Sequence, residues 1–155
     1  MIRTQRELRK YRDTLSITGM GVIAFGIWSI LKTVITYAMS DDYMAELGIK
    51  PEAVTVTLII MSVIMVGDII LRIVVGISAV KEGKGIKEGW FYVIVAMAVF
   101  VPASVVSVVT TFIDEPFRYG LLLSATVEAT SLVTTVEMLV SAFRVKKLTK
   151  ELAGG

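Results

Sequence analysis

Five ionisable side chains lie inside long apolar stretches of this 155-residue chain: Lys32, Asp68, Arg72, Glu128 and Glu137. A charged group surrounded by hydrocarbon is energetically costly unless it is paired or hydrated. Carboxylates and bases in such settings can exchange protons, bind cations or pair with one another. We therefore take these five residues as a candidate intramembrane polar site.

The depth of each residue can be estimated by counting at about 1.5 Å per residue from the ends of its stretch. Lys32 and Glu128 then lie in the outer half, and Arg72 and Glu137 in the inner half. We expect these to form two cross-helix pairs. Asp68 lies near the middle and is four residues from Arg72, which is close enough for a direct pair on one helix face. The five residues carry two positive and three negative charges, so one of the carboxylates lacks a full counter-charge.

The elements that carry these residues are four apolar runs, at about 15–39, 53–80, 90–113 and 119–143. A membrane span needs roughly 20 apolar residues, so each run is long enough to cross a bilayer. The hydrophobic fraction of 55% and the mean hydropathy of +0.76 exceed the usual composition of soluble proteins. The sequence predicts an all-α integral membrane protein, an antiparallel bundle of four transmembrane helices.

The four spans form one predicted domain, residues 15–143, between two basic ends. Residues 144–155 form a basic tail, and residues 1–14 form a basic amphipathic segment. That first segment has two interpretations: an interfacial helix that docks on anionic lipid, or a helical continuation of the first span. We favour the continuation, because basic flanks of this kind are common beside membrane helices.

Basic residues are distributed unevenly between the two sides of the predicted bundle. Five lie in 3–12, three in 81–87 and four in 144–150, whereas the other two connections hold only Lys50 and Arg118. Lysine and arginine concentrate in cytoplasmic loops. The sequence therefore predicts that both termini are cytoplasmic, in a plasma (inner) membrane of the prokaryotic type.

The composition also excludes several classes of chemistry. The chain has no cysteine and no histidine, which excludes disulfides, thiol chemistry and the usual ligands of zinc, haem and iron–sulfur clusters. Ser29 and Lys32 are one turn apart, but no glycine-rich oxyanion loop or third orienting group accompanies them. We therefore expect no enzymatic activity, no catalytic or metal-binding residues and no cofactor.

The last span is the least lipid-like of the four. Glu128 and Glu137 are nine residues apart, which puts them on opposite faces of a helix, and serines and threonines line both sides. Unsatisfied polar groups are costly in hydrocarbon. This helix must therefore be enclosed by the other three, lie against a second copy of the protein, or border a water-filled cavity.

Two functions are compatible with these features. In the first, the buried ions pair with one another and specify helix assembly in an interaction or accessory subunit, which forms a homodimer or joins a larger membrane partner. In the second, the protein is a proton- or cation-linked transporter in which Asp68 binds the ion, Arg72 biases its ionisation and Glu128 serves as a relay, beside a bend at Pro102. We favour the first, because most buried charges can be assigned partners. The expected partners are the lipid bilayer and anionic lipid at its cytoplasmic face, with no nucleic acid.

Overall fold

The computed structural model describes residues 2–38, 51–86, 89–114 and 119–153. These residues form four helices and no strand, so the predicted all-α architecture is confirmed for this part of the chain. α1 is Ile2–Ala38 and α2 is Pro51–Gly83. α3 consists of Phe91–Val95, a π-helical segment Ala96–Phe100 and Val101–Asp114, and α4 is Tyr119–Ala153.

The first two helices run antiparallel. Gly83 at the end of α2 lies against the backbone of Arg12 near the start of α1, whereas Arg72 further back in α2 lies against Gly26. As the chain advances along α1, its contacts therefore move backward along α2.

α4 runs parallel to α2, and α3 runs against both. Arg72 of α2 contacts Ser131 of α4, and Glu82 contacts Lys146. Gly89, just before α3, also receives a hydrogen bond from Lys146. The helices thus follow an up-down-up-down order. We call the end that holds Glu82, Gly89 and Lys146 the charged end.

The backbones of α1 and α2 come into direct contact where the helices cross. A Cβ built on Gly19 would lie 2.9 Å from the carbonyl oxygen of Gly76 and 2.9 Å from the Cβ of Ala79. A Cβ on Gly76 would lie 2.7 Å from the carbonyl oxygen of Gly19. Because there is no room for a side chain at either glycine, this crossing depends on small residues.

Buried side chains recur every three or four residues along the helices and form a single core. In α2, Arg72, Val75, Ala79 and Glu82 all face inward. The buried hydrophobic residues of the other helices are Leu8, Leu15 and Val22 in α1, Tyr92, Val93, Ala96 and Phe100 in α3, and Met138, Leu139, Ala142, Val145 and Leu148 in α4.

α1 and α4 extend past the other two helices at the charged end. Leu8 of α1 and Leu148 of α4 are buried in the common core, with Tyr11 and Leu152 packed against it. Residues 2–14 therefore belong to the same helix as the rest of α1, and helix α4 likewise continues through 144–153.

α2 ends in a hydrogen-bonded C-terminal motif. The N–H of Ile86 donates to the carbonyl of Lys81 and the N–H of Gly85 to that of Glu82, both at 2.9–3.0 Å. This pair of bonds is the Schellman motif. Gly85 has φ of +89°, a conformation that a residue without Cβ adopts at little cost. The motif turns the chain sharply toward α3.

α3 widens into a π-helix immediately before its proline. The N–H of Val101 donates to the carbonyl of Ala96, five residues earlier. Pro102 has no N–H, and its ring would clash with the preceding turn of a regular α-helix. A π-helical turn accommodates such an interruption without ending the helix.

One helical stretch of the described residues, Thr55–Gly83, is long and apolar enough to cross a membrane. Only 12% of its most apolar part is buried inside the molecule. Phe91–Val106 is also apolar but shorter.

The exposed side chains change from charged to apolar near the charged end of every helix. In three helices the change lies between an exposed charged residue and an exposed apolar one: Asp13 and Ile17 in α1, Lys81 and Ile77 in α2, and Arg144 and Phe143 in α4. In α3 it lies at the exposed aromatic pair Trp90 and Phe91, where the helix begins. Gly83 lies against Ser16, and the ring centroids of Trp90 and Phe143 are 5.5 Å apart. The four changes therefore fall at a common level.

Candidate functional site

Arg72 and Asp68 form an ion pair one helical turn apart on α2. Arg72 Nε donates to Asp68 Oδ2 at 2.7 Å. The arginine side chain is 8% exposed and the aspartate side chain 29% exposed. The direct pair considered from the four-residue spacing is therefore present, and its positive partner is the more deeply buried.

Each of the four helices contributes to the surroundings of Arg72. Nη1 donates to Ser131 Oγ of α4 at 3.2 Å, and Cζ lies 5.1 Å from the ring centroid of Phe100 of α3. α1 contributes Gly26, where a Cβ would lie 3.3 Å from Arg72 Cβ. An ion pair, a hydrogen bond and a cation–π contact thus stabilise one buried guanidinium.

The other two carboxylates lie in different surroundings. Glu137 is exposed, and Arg72 pairs with Asp68 and Ser131, so the expected Arg72–Glu137 pair is not observed. Six residues separate Ser131 from Glu137, about 240° around a helix. Because Ser131 faces inward, Glu137 is turned away from Arg72. Glu128 is half-buried and takes part in a polar contact.

Lys32 lies in α1, but its side chain lies outside the described residues. The expected Lys32–Glu128 pair therefore falls outside them as well.

Ser104 lies one turn beyond Phe100 on the buried face of α3. Its side chain is buried, and its hydroxyl oxygen has no hydrogen-bond partner among the described residues. A buried unsatisfied hydroxyl costs roughly 1–3 kcal/mol. The hydroxyl adds a further polar group to the core, one turn from the aromatic ring that lies against Arg72.

A second polar cluster lies at the charged end and joins α2, α3 and α4. Glu82 Oε2 accepts hydrogen bonds from Tyr92 Oη at 2.6 Å and from Lys146 Nζ at 2.9 Å, and Oε1 lies 2.9 Å from the same nitrogen. Lys146 also donates to the carbonyl of Gly89 at 3.3 Å. The Glu82 and Lys146 side chains are largely buried, so this ion pair is satisfied within the protein.

Aromatic rings cover the lysine of this cluster. Lys146 Nζ lies 5.0 Å from the ring centroid of Trp90 and 5.4 Å from that of Tyr92. Trp90 in turn packs on Phe143 at an interplanar angle of 49°. These contacts anchor the start of α3 to α4.

The second cluster was missed by sequence reasoning, which assigned Lys146 to a basic tail. Its acidic member could have been found from periodicity, because Glu82 continues the buried stripe of Arg72, Val75 and Ala79 at spacings of three and four. No comparable signal in the sequence marks the pairing of Lys146 with Glu82, because the two residues are 64 positions apart.

Each ion pair connects α2 with side chains of other helices. Asp68 stays partly exposed beside its buried arginine, whereas Glu82 and Lys146 are both largely buried. Within the described ranges, no three acidic side chains come close enough to hold a metal ion. Comparison of the chain with known protein families, with curated proteins and with solved structures finds no match.

Proposed function

We propose that this chain is a four-span membrane protein that acts as an interaction or accessory subunit, with buried ion pairs that specify how its helices assemble. It has no enzymatic activity of its own. The observation that carries this proposal is Arg72, a buried arginine whose guanidinium contacts Asp68 of its own helix, Phe100 of α3 and Ser131 of α4, and whose aliphatic part lies beside Gly26 of α1.

The exposed surface supports the location in a bilayer. Beyond the level at which charge gives way to apolar residues, the described exposed side chains are almost entirely aliphatic or aromatic. Soluble monomers rarely expose apolar patches larger than a few hundred Å². Thr55–Gly83 is the extreme case, since most of it faces away from the protein.

The basic residues support an orientation with both termini in the cytoplasm. α1 begins and α4 ends at the charged end, where Arg3, Arg6 and Arg9 of α1 and Lys147 and Lys150 of α4 are exposed. Basic residues concentrate on the cytoplasmic side and attract anionic lipid there.

The energetics of buried polar groups support the structural role. An interhelical polar contact in a membrane contributes roughly 0.5–2 kcal/mol, which is enough to select one packing over another. Removing one partner of a buried pair costs more, because the other charge is left unpaired. Arg72 therefore disfavours any arrangement that separates it from Asp68 and Ser131.

A second candidate function is transport of protons or cations through Asp68 and Glu128. The observation in its favour is the partial exposure of Asp68 beside a buried arginine, close to the π-helical segment of α3. π-helical turns occur frequently at functional sites. A carrier would use Asp68 as the ion-binding group and Glu128 as a relay.

Two substitutions, Asp68→Asn and Glu128→Gln, separate the two functions. For a structural subunit we expect Asp68→Asn to lower the melting temperature in detergent by about 5 °C, because Arg72 loses its counter-charge. Wild-type protein in liposomes should show no flux driven by a pH gradient. A carrier should instead show a flux in the wild type that both variants lose, whatever the change in melting temperature.

Asp13→Asn is the matched control, because Asp13 is an exposed carboxylate of α1 at the charged end. It should leave both the melting temperature and the flux unchanged. A wild-type flux that either of the other substitutions abolishes would overturn the structural proposal in favour of transport.

A further inference from the structure

α4 has an exposed face that carries a charge at a depth where the rest of the described surface is uncharged. On the apolar side of the level change, Glu137 is the single charged residue among the described residues that is exposed rather than partly or fully buried. Asp68 and Glu128 at similar or greater depth are partly buried. Hydrocarbon offers an exposed carboxylate neither a hydrogen-bond donor nor a counter-charge, so we expect another molecule to contact this face of α4.

The exposed residues of this face have the spacing of a helix–helix seam. Intervals alternate between four and three residues, the pattern by which one helix packs along another at a shallow angle. We call this set the α4 seam: Thr126, Thr130, Val133, Glu137, Val140 and Arg144, all exposed. Val133, at 65%, is among the most exposed large hydrophobic residues of the chain.

The hydroxyl groups of this part of α4 are satisfied within the helix. Thr130 Oγ1 donates to the carbonyl of Thr126 at 2.7 Å, and Thr134 Oγ1 donates to that of Thr130 at 2.8 Å. Ionised Glu137 has no such option, since a carboxylate only accepts hydrogen bonds and the helix N–H groups are already used. No described residue is paired with it.

Glu137 is also unable to reach the charged end. It precedes Phe143 by six residues, about 9 Å along the helix. Side chains of a helix tilt toward its N-terminus, which for α4 points away from the charged end. The carboxylate is thereby directed deeper into the apolar layer, where no basic side chain of the described residues pairs with it.

We propose that the α4 seam binds a single transmembrane helix of another protein, with a lysine or arginine opposite Glu137 and an aspartate or glutamate opposite Arg144. This inference rests on the membrane location proposed above. The two charges of the seam are seven residues apart, so the partner helix carries its base in the apolar layer and its acid two turns nearer the cytoplasm.

Charge complementarity favours such a partner over a second copy of this chain. Two copies inserted in the same orientation would place Glu137 against Glu137 and Arg144 against Arg144. Like charges in direct opposition destabilise an interface and so act against that assembly. A helix with the opposite charges satisfies both residues at once.

The test uses the full chain in phosphatidylcholine liposomes, with a donor fluorophore on Gly155→Cys. The chain has no native cysteine, so labelling is specific. The probe is a synthetic polyleucine helix with one lysine at the depth of Glu137, one glutamate seven residues nearer the cytoplasmic end and an acceptor fluorophore. We expect this helix to bind about fivefold more tightly than the same helix without the two charges.

Glu137→Gln should remove that preference, and Val133→Phe, which places a bulky ring in the seam, should weaken binding of the charged helix. Glu151→Gln, at an exposed carboxylate of α4 outside the seam, is the matched control and should retain the preference. Equal binding of charged and uncharged helices by an inserted wild-type chain would overturn the inference alone. Energy transfer between wild-type copies that Glu137→Gln abolishes would overturn it in favour of a second copy. A chain that does not float with the liposomes would overturn the proposed function too.

Discussion

At the scale of single residues, the ionisable groups of the described core are held in two clusters of different composition. Arg72 is a buried cation with one carboxylate, one hydroxyl and one aromatic ring around it. Glu82 is a buried anion with a phenol and an ammonium group. In each cluster several donors or acceptors surround one charge, which offsets the large cost of removing that charge from water.

The largely buried Glu82–Lys146 pair can be compared with the exposed Lys147–Glu151 pair of the same protein. We expect Glu82→Gln to destabilise the protein by about 2–3 kcal/mol, because Lys146 is left with no counter-charge in a largely buried position. Thermal and denaturant unfolding in detergent, followed by circular dichroism, measures the loss.

The control is Glu151→Gln, which breaks the exposed pair with Lys147 at 4.0 Å. Exposed pairs contribute about 0–1 kcal/mol, so the change in stability should be below about 0.5 kcal/mol. Equal effects of the two substitutions would show that Glu82 and Lys146 are not buried together.

At the scale of helices, glycines determine how α1 and α2 meet and where α2 stops. Gly19 and Gly76 allow backbone contact at the crossing, and Gly85 takes up the positive φ of the terminating turn. The close crossing brings Gly26 next to Arg72, so the helix contact and the ion-pair site depend on each other.

A pair of glycine substitutions in α2 tests this close crossing. Gly76→Ala should destabilise the protein by about 1–3 kcal/mol, since its Cβ would overlap the carbonyl oxygen of Gly19. Gly67→Ala, where a Cβ would meet nothing within 4 Å, should instead stabilise the helix by about 0.5–1 kcal/mol. Opposite signs of the change in melting temperature are the expected result, and a neutral Gly76→Ala would contradict the close approach.

At the scale of the whole molecule, the common level of the charge changes divides the protein into two zones. The apolar zone contains Arg72 in its interior, and the charged zone contains the extended ends of α1 and α4. Leu8 and Leu148 hold those ends together, so the two helices leave the proposed membrane surface as a packed pair.

The two zones can be mapped by single cysteines in this cysteine-free chain. Gln5→Cys and Thr149→Cys, both in exposed positions, should react with a membrane-impermeant maleimide added from the cytoplasmic side. Ile59→Cys and Ile94→Cys should remain unlabelled in intact membranes, although both side chains are exposed on the protein surface.

Protein denatured in SDS and urea is the reference for this experiment, since all four cysteines should react once neither lipid nor folded structure covers them. Rapid labelling of Ile59→Cys in intact membranes, or labelling of Gln5→Cys from the outer side alone, would contradict the proposed location or orientation.

Several features of the fold were predictable from local pattern. Long apolar runs predict helices, and the four-residue spacing of Asp68 and Arg72 indicates a pair within one helix, because these relations need only neighbouring residues. The helical conformation of residues 2–14 is of the same kind.

The partners across helices could not be obtained in this way. Depth alone favoured Glu137 as a partner of Arg72, but depth says nothing about rotation, and the rotation of α4 turns Ser131 inward and Glu137 outward. That rotation is set by the contacts of α4 with the other helices, among them Gly21 with Thr134 and the Glu82–Lys146 pair. Local sequence thus specifies which residues are helical and charged, and long-range packing specifies which of those charges are paired inside the protein and which remain exposed.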